Sequence, residues 1–431
     1  MKWIQPQLAQ LLSHSDSGEW GEEDLTNGVS VLRSTNMSND GTVDFGNLTF
    51  RAVPEAKRSA KRLEPGDIIL ESSGGGPKQP VGRVCYFEGD KAEHIVGNFC
   101  RRLRPISDFV LPRFLFWRLH YGHCIGDTLR YQTQTTGLRN LQFKSYLNQI
   151  IDIPGKAEQL RIVILLDEAD RLRRLSRDAK SKAERILPAL FLNMFGDPVT
   201  NPKGWTPTTV GHVLKATDYG TSTKASDDGT GLPLIRMGNV DYAGSLDLRD
   251  LKFVNLPEEE ASKYRLEKGD LLFNRTNSID LVGKTGLWDV NLDAVLASYF
   301  IRVRVDKEQA EPEFLWAYMN STFMKRVLRA TARGAIGQAN INTTELRSLP
   351  LYGPPLDLQK NFVARLQIIR RAIPAAEVTA KLEALFSLLL QRAFSGELTA
   401  KWREAHLKEL LADMKVLARR LNLPLPEEAA V

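Results

Sequence analysis

The chain has 431 residues, 42% of them hydrophobic and 26% charged, enough for two or three folded domains and ordinary for a globular protein. Its longest apolar run, residues 162–166, is far too short to span a bilayer, and the opening MKWIQPQLAQLL lacks the basic region and cleavage site of a signal peptide, so no membrane and a cytoplasmic location are expected. The formal net charge of +6 leans toward a polyanionic partner without identifying one.

Taken in order, the chain repeats itself. Residues 32–70 laid without a gap on residues 235–273 agree at fourteen of 39 positions, where composition alone gives roughly two to three. The identities include Arg33 with Arg236, Asn36 with Asn239, Phe50 with Phe253, Pro54 with Pro257, and Gly66-Asp67 with Gly269-Asp270. Trp3 pairs with Trp205, Val81-Gly82-Arg83 with Val282-Gly283-Lys284, and Pro112-Arg113-Phe114-Leu115 with Pro312-Glu313-Phe314-Leu315. Within each copy, GDIIL (66–70) and GDLLF (269–273) predict buried strands opened by a turn, and residues 299–305 a half-exposed strand. Residues 314–328 read as one helix packed on the sheet. Cys85, Cys100 and Cys124 lack metal-site spacing and read as buried free thiols. His120 and His123 have no metal-ligand companions and read as surface or core histidines.

Each copy runs into a long helix. Residues 156–195 place Ile162, Leu165, Ala169, Leu172, Ser176, Ala179, Ala183, Ile186 and Leu190 at alternating steps of three and four, the seam of a helix that needs a partner. Arg171, Arg173, Arg174, Lys180, Lys182 and Arg185, with Asp167, Glu168, Asp170 and Asp178, fall on the opposite, solvated face. Residues 359–394 supply the matching seam, including Phe362, Leu366, Ile369, Leu385 and Leu389, in an antiparallel or steeply crossed pair. Pro188 and Pro374 predict a kink or break near each. Beyond Gly396 come one amphipathic helix, residues 402–421, and a loose acidic end. The expected plan is α+β: two tandem mixed, strand-rich domains separated by two long helices packed as a coiled-coil spacer. The segments are 1–154, 155–196, 197–354, 355–398 and a helical tail, 399–431.

Catalytic readings find little support in these residues. Asp167-Glu168-Ala169-Asp170 spells the acidic box of nucleic-acid helicases, the basis of an alternative reading as an ATP-dependent nucleic-acid enzyme. The required upstream glycine-rich phosphate loop is missing, and helical periodicity runs through the box. No methyltransferase cofactor loop or Asn/Asp-Pro-Pro-aromatic motif occurs. Binding remains. The loops after the GD strands offer Ser72, Ser73 and Lys78, then Arg275, Thr276 and Asn277, followed by Arg83 or Lys284. Tyr219, Thr221 and Lys224 add hydroxyls and a base. Arg and Asn can grip base edges bidentately, and Ser, Thr and Lys commonly serve phosphates; each residue alone is equally a solvated turn residue. A protein scaffold built of repeats, with no DNA role, is a third reading.

With the duplication, the paired helices, the GQANIN segment at 337–342, the proline-rich break at 349–355 and the AFSGEL ending at 393–398, the chain resembles the specificity subunit of type I restriction-modification systems. Its first copy departs from the pattern, with TGLRNL at 136–141 and Phe195-Gly196-Asp197 where the second has the fuller forms. The resemblance implies a non-catalytic subunit whose two target-recognition domains each read one half of an asymmetric, bipartite site in double-stranded DNA. It implies that the helices space the halves and dock modification (methyltransferase) subunits, two of them expected, through residues such as Arg171, Arg174, Lys182, Arg370 and Lys381. It implies no cofactor in this chain, S-adenosylmethionine on the modification subunits, and ATP with Mg²⁺ on a separate restriction subunit.

Overall fold

The structure is a computed structural model, which describes residues 3–76, 79–135, 138–227, 229–335, 338–372 and 376–425. The chain forms two compact units, the first from Met1–Leu175 with Ala376–Val431 and the second from Ser176–Ala375. The central helix, Lys156–Phe195, covers the predicted run, contributes to both units, and is not broken at Pro188. Pro374 lies outside the described residues, between helices Leu356–Ala372 and Ala376–Phe394. The tail thus belongs to the first unit.

The sequence duplication is a duplication of topology. In the first unit an antiparallel sheet runs in the order Leu12–Ser17, Cys100–Pro105, Ile68–Glu71, Val84–Tyr86. The second repeats it with Leu214–Tyr219, Phe300–Val305, Leu271–Asn274, Thr285–Leu287. A second sheet places Val29–Leu32 between Thr49–Arg51, antiparallel, and His94–Val96, parallel. Leu232–Ile235 sits in the same way between Lys252–Val254 and Val295–Leu296. A third small sheet joins Ser73–Gly75, Leu138–Leu141 and Gln132–Thr135, answered by Thr276–Asn277, Gln338–Asn340 and Arg333–Ala335.

The GD strands are central and covered on both faces, which is why they read as continuous apolar runs. Ile68 and Leu70 point into one hydrophobic cluster and Ile69 into another. Leu271 and Phe273 likewise part from Leu272. The same double cover buries Phe300–Val305 nearly throughout, not on one face as its alternation predicts: Ile301, Val303 and Val305 enter one cluster and Phe300 the other. The helix predicted over 314–328 is two, Pro312–Met319 and Thr322–Thr331, because Ser321 caps the second by accepting the Met324 amide at 3.2 Å.

Many identities between the copies serve this frame. Asn36 Nδ2 donates to the Asp44 and Asn47 carbonyls at 3.0 Å, and Asn239 Nδ2 to those of Asp247 and Asp250 at 2.9 Å. The turn each amide closes contains a glycine in the left-handed region, Gly41 at φ +85° and Gly244 at φ +86°, where a side chain would be strained. Gln159, fully buried, donates to the Pro154 carbonyl and accepts the Leu111 amide; Gln359 repeats this with Pro354 and Glu311. Each glutamine ties the start of a long helix to the start of the helix that covers the sheet.

Within the first unit the long helices are antiparallel: Glu158 meets Thr399 and Arg403, whereas Arg173 meets Glu383 and stacks 3.8 Å from the Phe386 ring centroid. The buried stripe is rotated from the predicted seam. Ile162 and Leu166 are buried, but the stripe continues through Asp170, Arg173 at 7% exposure, and Ser176. Leu172, expected inside, is 44% exposed. Arg173 is held by Asp170 at 2.6 Å as well as by Glu383, so its charge enters the interior paired.

Cys85 and Cys100 are buried, and burial pushes both thiols up, Cys85 to about 12; Cys124, expected buried, is exposed. His120 is an interior residue and His123 is half-buried. His120 packs against Phe116 and Trp117, and burial pushes both imidazoles down to about 4, with Arg173 adding to the effect at His120 and Arg83 at His123. An unfolded chain protonates near pH 6.5, so between pH 6.5 and about 4 it binds protons that the folded unit refuses. The stability tied to neutral imidazoles is present above that window and lost as pH falls through it. The melting temperature of the first unit should therefore drop from pH 6.5 to 4, and His120→Phe should make the drop shallower.

Candidate nucleic-acid interface

At the end of each GD strand the backbone turns around the carbonyl of an exposed aromatic residue. In the first unit the Ser72 amide and hydroxyl donate to Phe99 O at 2.8 and 3.2 Å, and the Ser73 amide reaches the same atom at 3.2 Å. In the second unit the Arg275 amide donates to Tyr299 O at 2.9 Å, as does the buried Asn274 amide group at 3.2 Å. Phe99 and Tyr299 are thereby presented to solvent at corresponding places, 57% and 46% exposed. Ser73 Oγ also pairs with Asn140 Oδ1, tying the loop to the third sheet.

The second unit adds a guanidinium. Arg275 lies over the exposed Tyr219 ring, 4.8 Å from its centroid, and its Nε has no acceptor. Tyr219 Oη accepts the Thr343 amide at 3.4 Å, which fixes the ring from the other end. A fork stacked on an anchored ring keeps its terminal nitrogens oriented, as recognition of a guanine edge or a phosphate requires. Asn277 is half-buried and donates to Asn274 Oδ1 at 2.8 Å; Lys224 is exposed. Thr221 and Thr276 are buried, the former bonded to Thr223, so neither faces solvent. Lys78 lies outside the described residues.

Arg83 and Lys284, predicted to meet DNA, are interior and hydrogen-bonded within their own units. Arg83, 6% exposed, donates to both carboxylate oxygens of Glu71 at 3.1 and 3.2 Å, to Met37 O at 2.7 Å, to Ser34 O at 2.9 Å and to Asn39. Burial raises the Glu71 carboxyl while Arg83 pulls it back. Lys284, 7% exposed, donates to Met237 O and Val240 O, both at 2.6 Å. Burial lowers its ammonium, and Asp241 opposes the shift. The second unit has Asn274 where the first has Glu71, and with the carboxylate gone a lysine reaching carbonyls replaces the bidentate arginine. Both cations hold the single helical turn after Leu32 or Ile235 against the main sheet, so they position a surface rather than form it.

The acidic box is not the end of a strand. Asp167, Glu168 and Asp170 lie within the central helix, where Asp167 accepts from Arg113 and Trp117 at 2.8 and 2.7 Å, Glu168 pairs with Arg171, and Asp170 pairs with Arg173 and Arg174. This overturns their reading as magnesium ligands of an ATPase. Among the described residues no three His, Cys, Asp or Glu side chains gather as a metal site, and no helix is long and apolar enough to cross a membrane.

Of the residues expected to dock partners, Arg171 and Lys182 are exposed, Arg174 is half-buried, and Arg370 pairs with Asp289 at 2.6 Å while covering the Trp316 ring. Lys381 is exposed and also has an interaction partner. Sequence reasoning missed an apolar stripe on the first unit's helices: Leu160, Ile164, Leu172 and Leu175 on one and Leu385 and Leu388 on the other are all exposed. The signal was present as a second set of apolar residues beside the buried one, but it merged with the seam.

Residues 202–384 match the family model for the type I restriction modification DNA specificity domain. The type I restriction enzyme StySPI specificity subunit of Salmonella potsdam is 27% identical over 395 residues, covering 87% of this chain and 83% of that protein. The EcoKI specificity subunit of Escherichia coli K12 is also 27% identical, over 404 residues with the same coverage. In fold, the chain is similar to the crystal structure of a type I restriction-modification S subunit from M. genitalium, at TM-score 0.63 and 13% identity over 91% of this chain and 96% of that one. Residues 202–384 thus match the type I restriction modification DNA specificity domain, and the chain as a whole is similar, along most of its length, to specificity subunits of type I restriction enzymes.

Proposed function

We propose that this chain is the non-catalytic DNA sequence-recognition subunit of a type I restriction-modification complex, in which each unit reads one half of an asymmetric bipartite site. The observation that carries this reading is a topology used twice with different residues at corresponding exposed loops: Ser72, Ser73 and Phe99 in one unit, Arg275, Tyr219 and Tyr299 in the other. Identical loops would favour a symmetric pair of half-sites; unequal ones favour two different sequences. Ser72, Ser73, Tyr219, Lys224, Arg275 and Asn277 form the proposed contact set. Lys78 stays in it on its residue type alone.

Double-stranded DNA is the ligand, and two methyltransferase subunits are the proposed partners, docking on the apolar stripe around Leu172 and Leu385 with Arg171, Lys182 and Lys381 at its margin. S-adenosylmethionine would belong to those subunits, and ATP with Mg²⁺ to a restriction subunit, all in the cytoplasm. A protein scaffold without a DNA role differs measurably, because phosphate contacts release counterions and make affinity fall steeply with salt.

The helices are the proposed spacer between the half-sites; a helix of 40 residues is about 60 Å long. Inserting four residues into each long helical run should change the preferred distance between the half-sites and leave the bases read in each unchanged. Altered half-site bases at an unaltered distance would contradict the spacer role.

A further inference from the structure

Beside the Ser72 loop, the first unit has a concave pocket of about 370 Å³ bounded by Trp20, Arg33, Thr35, Asn98 and Phe99. The Trp20 and Phe99 rings are 43% and 57% exposed, an unusual outlay of large apolar surface for a polar loop region. Trp20 is held in place by Arg51, whose guanidinium lies 4.3 Å from the ring centroid. Arg33 is half-buried and donates from one terminal nitrogen to Asn47 O at 3.1 Å, while its Nε is shielded from solvent. Ser34 and Thr35, in the turn Ser34–Asn36, also line the pocket, and the buried Arg83 fixes this turn through Ser34 O and Met37 O.

The second unit keeps the arginine and changes the walls. Arg236 stands at the place of Arg33 and donates to the Asp250 carbonyl at 3.3 Å and to its carboxylate at 3.2 Å, and its Nε is likewise shielded from solvent. Backbone hydrogen bonds place Gly220 and Thr221 at the positions of Gly18 and Glu19, so Ser222 stands where the first unit has Trp20. Asn98 and Phe99 become Ser298 and Tyr299, and Gly97 becomes Ala297. A common cation with unequal walls is the pattern of one subsite adapted to two ligands.

Aromatic rings bind the faces of bases, whereas groove-reading donors bind their edges, and in an intact duplex the faces are covered by neighbouring pairs. Resting on the DNA-recognition reading, we propose that this pocket receives one base of the bound site turned out of the stack, with Trp20 and Phe99 contacting its face and Arg33 and Asn98 its edge. The first unit alone has the two-ring wall, so the half-site it reads contains the displaced base.

The test uses the chain assembled with its methyltransferase subunits and duplexes carrying a single mismatch at each position of both half-sites. A mismatch removes the pairing cost of extrusion, so affinity should rise about tenfold at one position other than the methylated base. Trp20→Ala and Phe99→Ala should each abolish that gain and leave the melting temperature and the gain at the methylated base intact. The proposal is overturned if no second position gains affinity, or if the gain survives both substitutions. A complex that binds every sequence alike contradicts the recognition reading, and this proposal with it.

Discussion

Ending the chain at Thr399 should unfold the first unit and leave the second folded. The amphipathic pattern of 402–421 predicts one helix, but the structure divides it into Ala400–Ala405 and Leu407–Arg420 and makes it a wall of the first unit's interior. Met414, Leu417, Ala418 and Leu421 enter the same cluster as Ile162, Leu166 and Trp117. Asp413 accepts the Lys156 amide at 2.5 Å, so the tail also caps the central helix, whose first amides have no intrahelical acceptors. Glu158 is wholly buried and answered by Thr399 at 2.6 Å and Arg403 at 2.6 and 2.8 Å. Arg403→Ala alone strands that carboxylate, which costs about 3–5 kcal/mol where a domain has roughly 5–15 kcal/mol in all. Calorimetry should show a markedly lower first-unit transition in Arg403→Ala and none in the truncated chain. Two unchanged transitions after truncation would mean that the tail is an appendage.

Arg83→Ala should act in the same way, through folding rather than affinity. Its guanidinium answers Glu71 and two backbone carbonyls inside the first unit, so its removal leaves a buried carboxylate unpaired, at a cost of about 3–5 kcal/mol. Lys284→Ala in the second unit should cost less, because two carbonyls and no carboxylate lose their donor. A direct contact with DNA predicts the reverse: unchanged melting and weaker, salt-sensitive binding. Thermal denaturation of both variants beside their DNA affinity separates the two roles. If Arg83→Ala melted like the unaltered protein, the positioning role would be wrong.

The duplication, the GD strands and the extent of the central helix were legible because each is written in local pattern: repeated residues, an apolar run behind a turn, a sustained helical period. The rotation of the helix stripe was not. Ile162, Leu166 and Ser176 lie on one stripe and Ile164, Leu172 and Leu175 on the next, and a period near 3.6 cannot choose between two adjacent apolar stripes. The choice is made by Arg173, which becomes an interior residue once Asp170, Glu383 and Phe386 surround it, partners up to 213 positions away. Arg83 and Lys284 were misplaced for a related reason. A cation after a polar loop has the same spelling whether it faces DNA or backs a turn, and only the carbonyls of Ser34, Met37, Met237 and Val240 reveal which. Arg275 and Tyr219 were found by residue type, but their stacking, and the pocket between Trp20 and Phe99, depend on loops brought together from distant parts of the chain.

Whether each unit reads its own half-site is decided by mapping methylated sites across the DNA of cells carrying the whole system. Two unequal unit surfaces predict one bipartite motif with two different half-sites at a fixed separation, and exchanging Tyr219 and Arg275 for alanine should alter one half and spare the other. A single continuous or palindromic motif, or a motif unchanged when this chain is replaced by an unrelated specificity subunit, would mean that the two units do not each read a half-site.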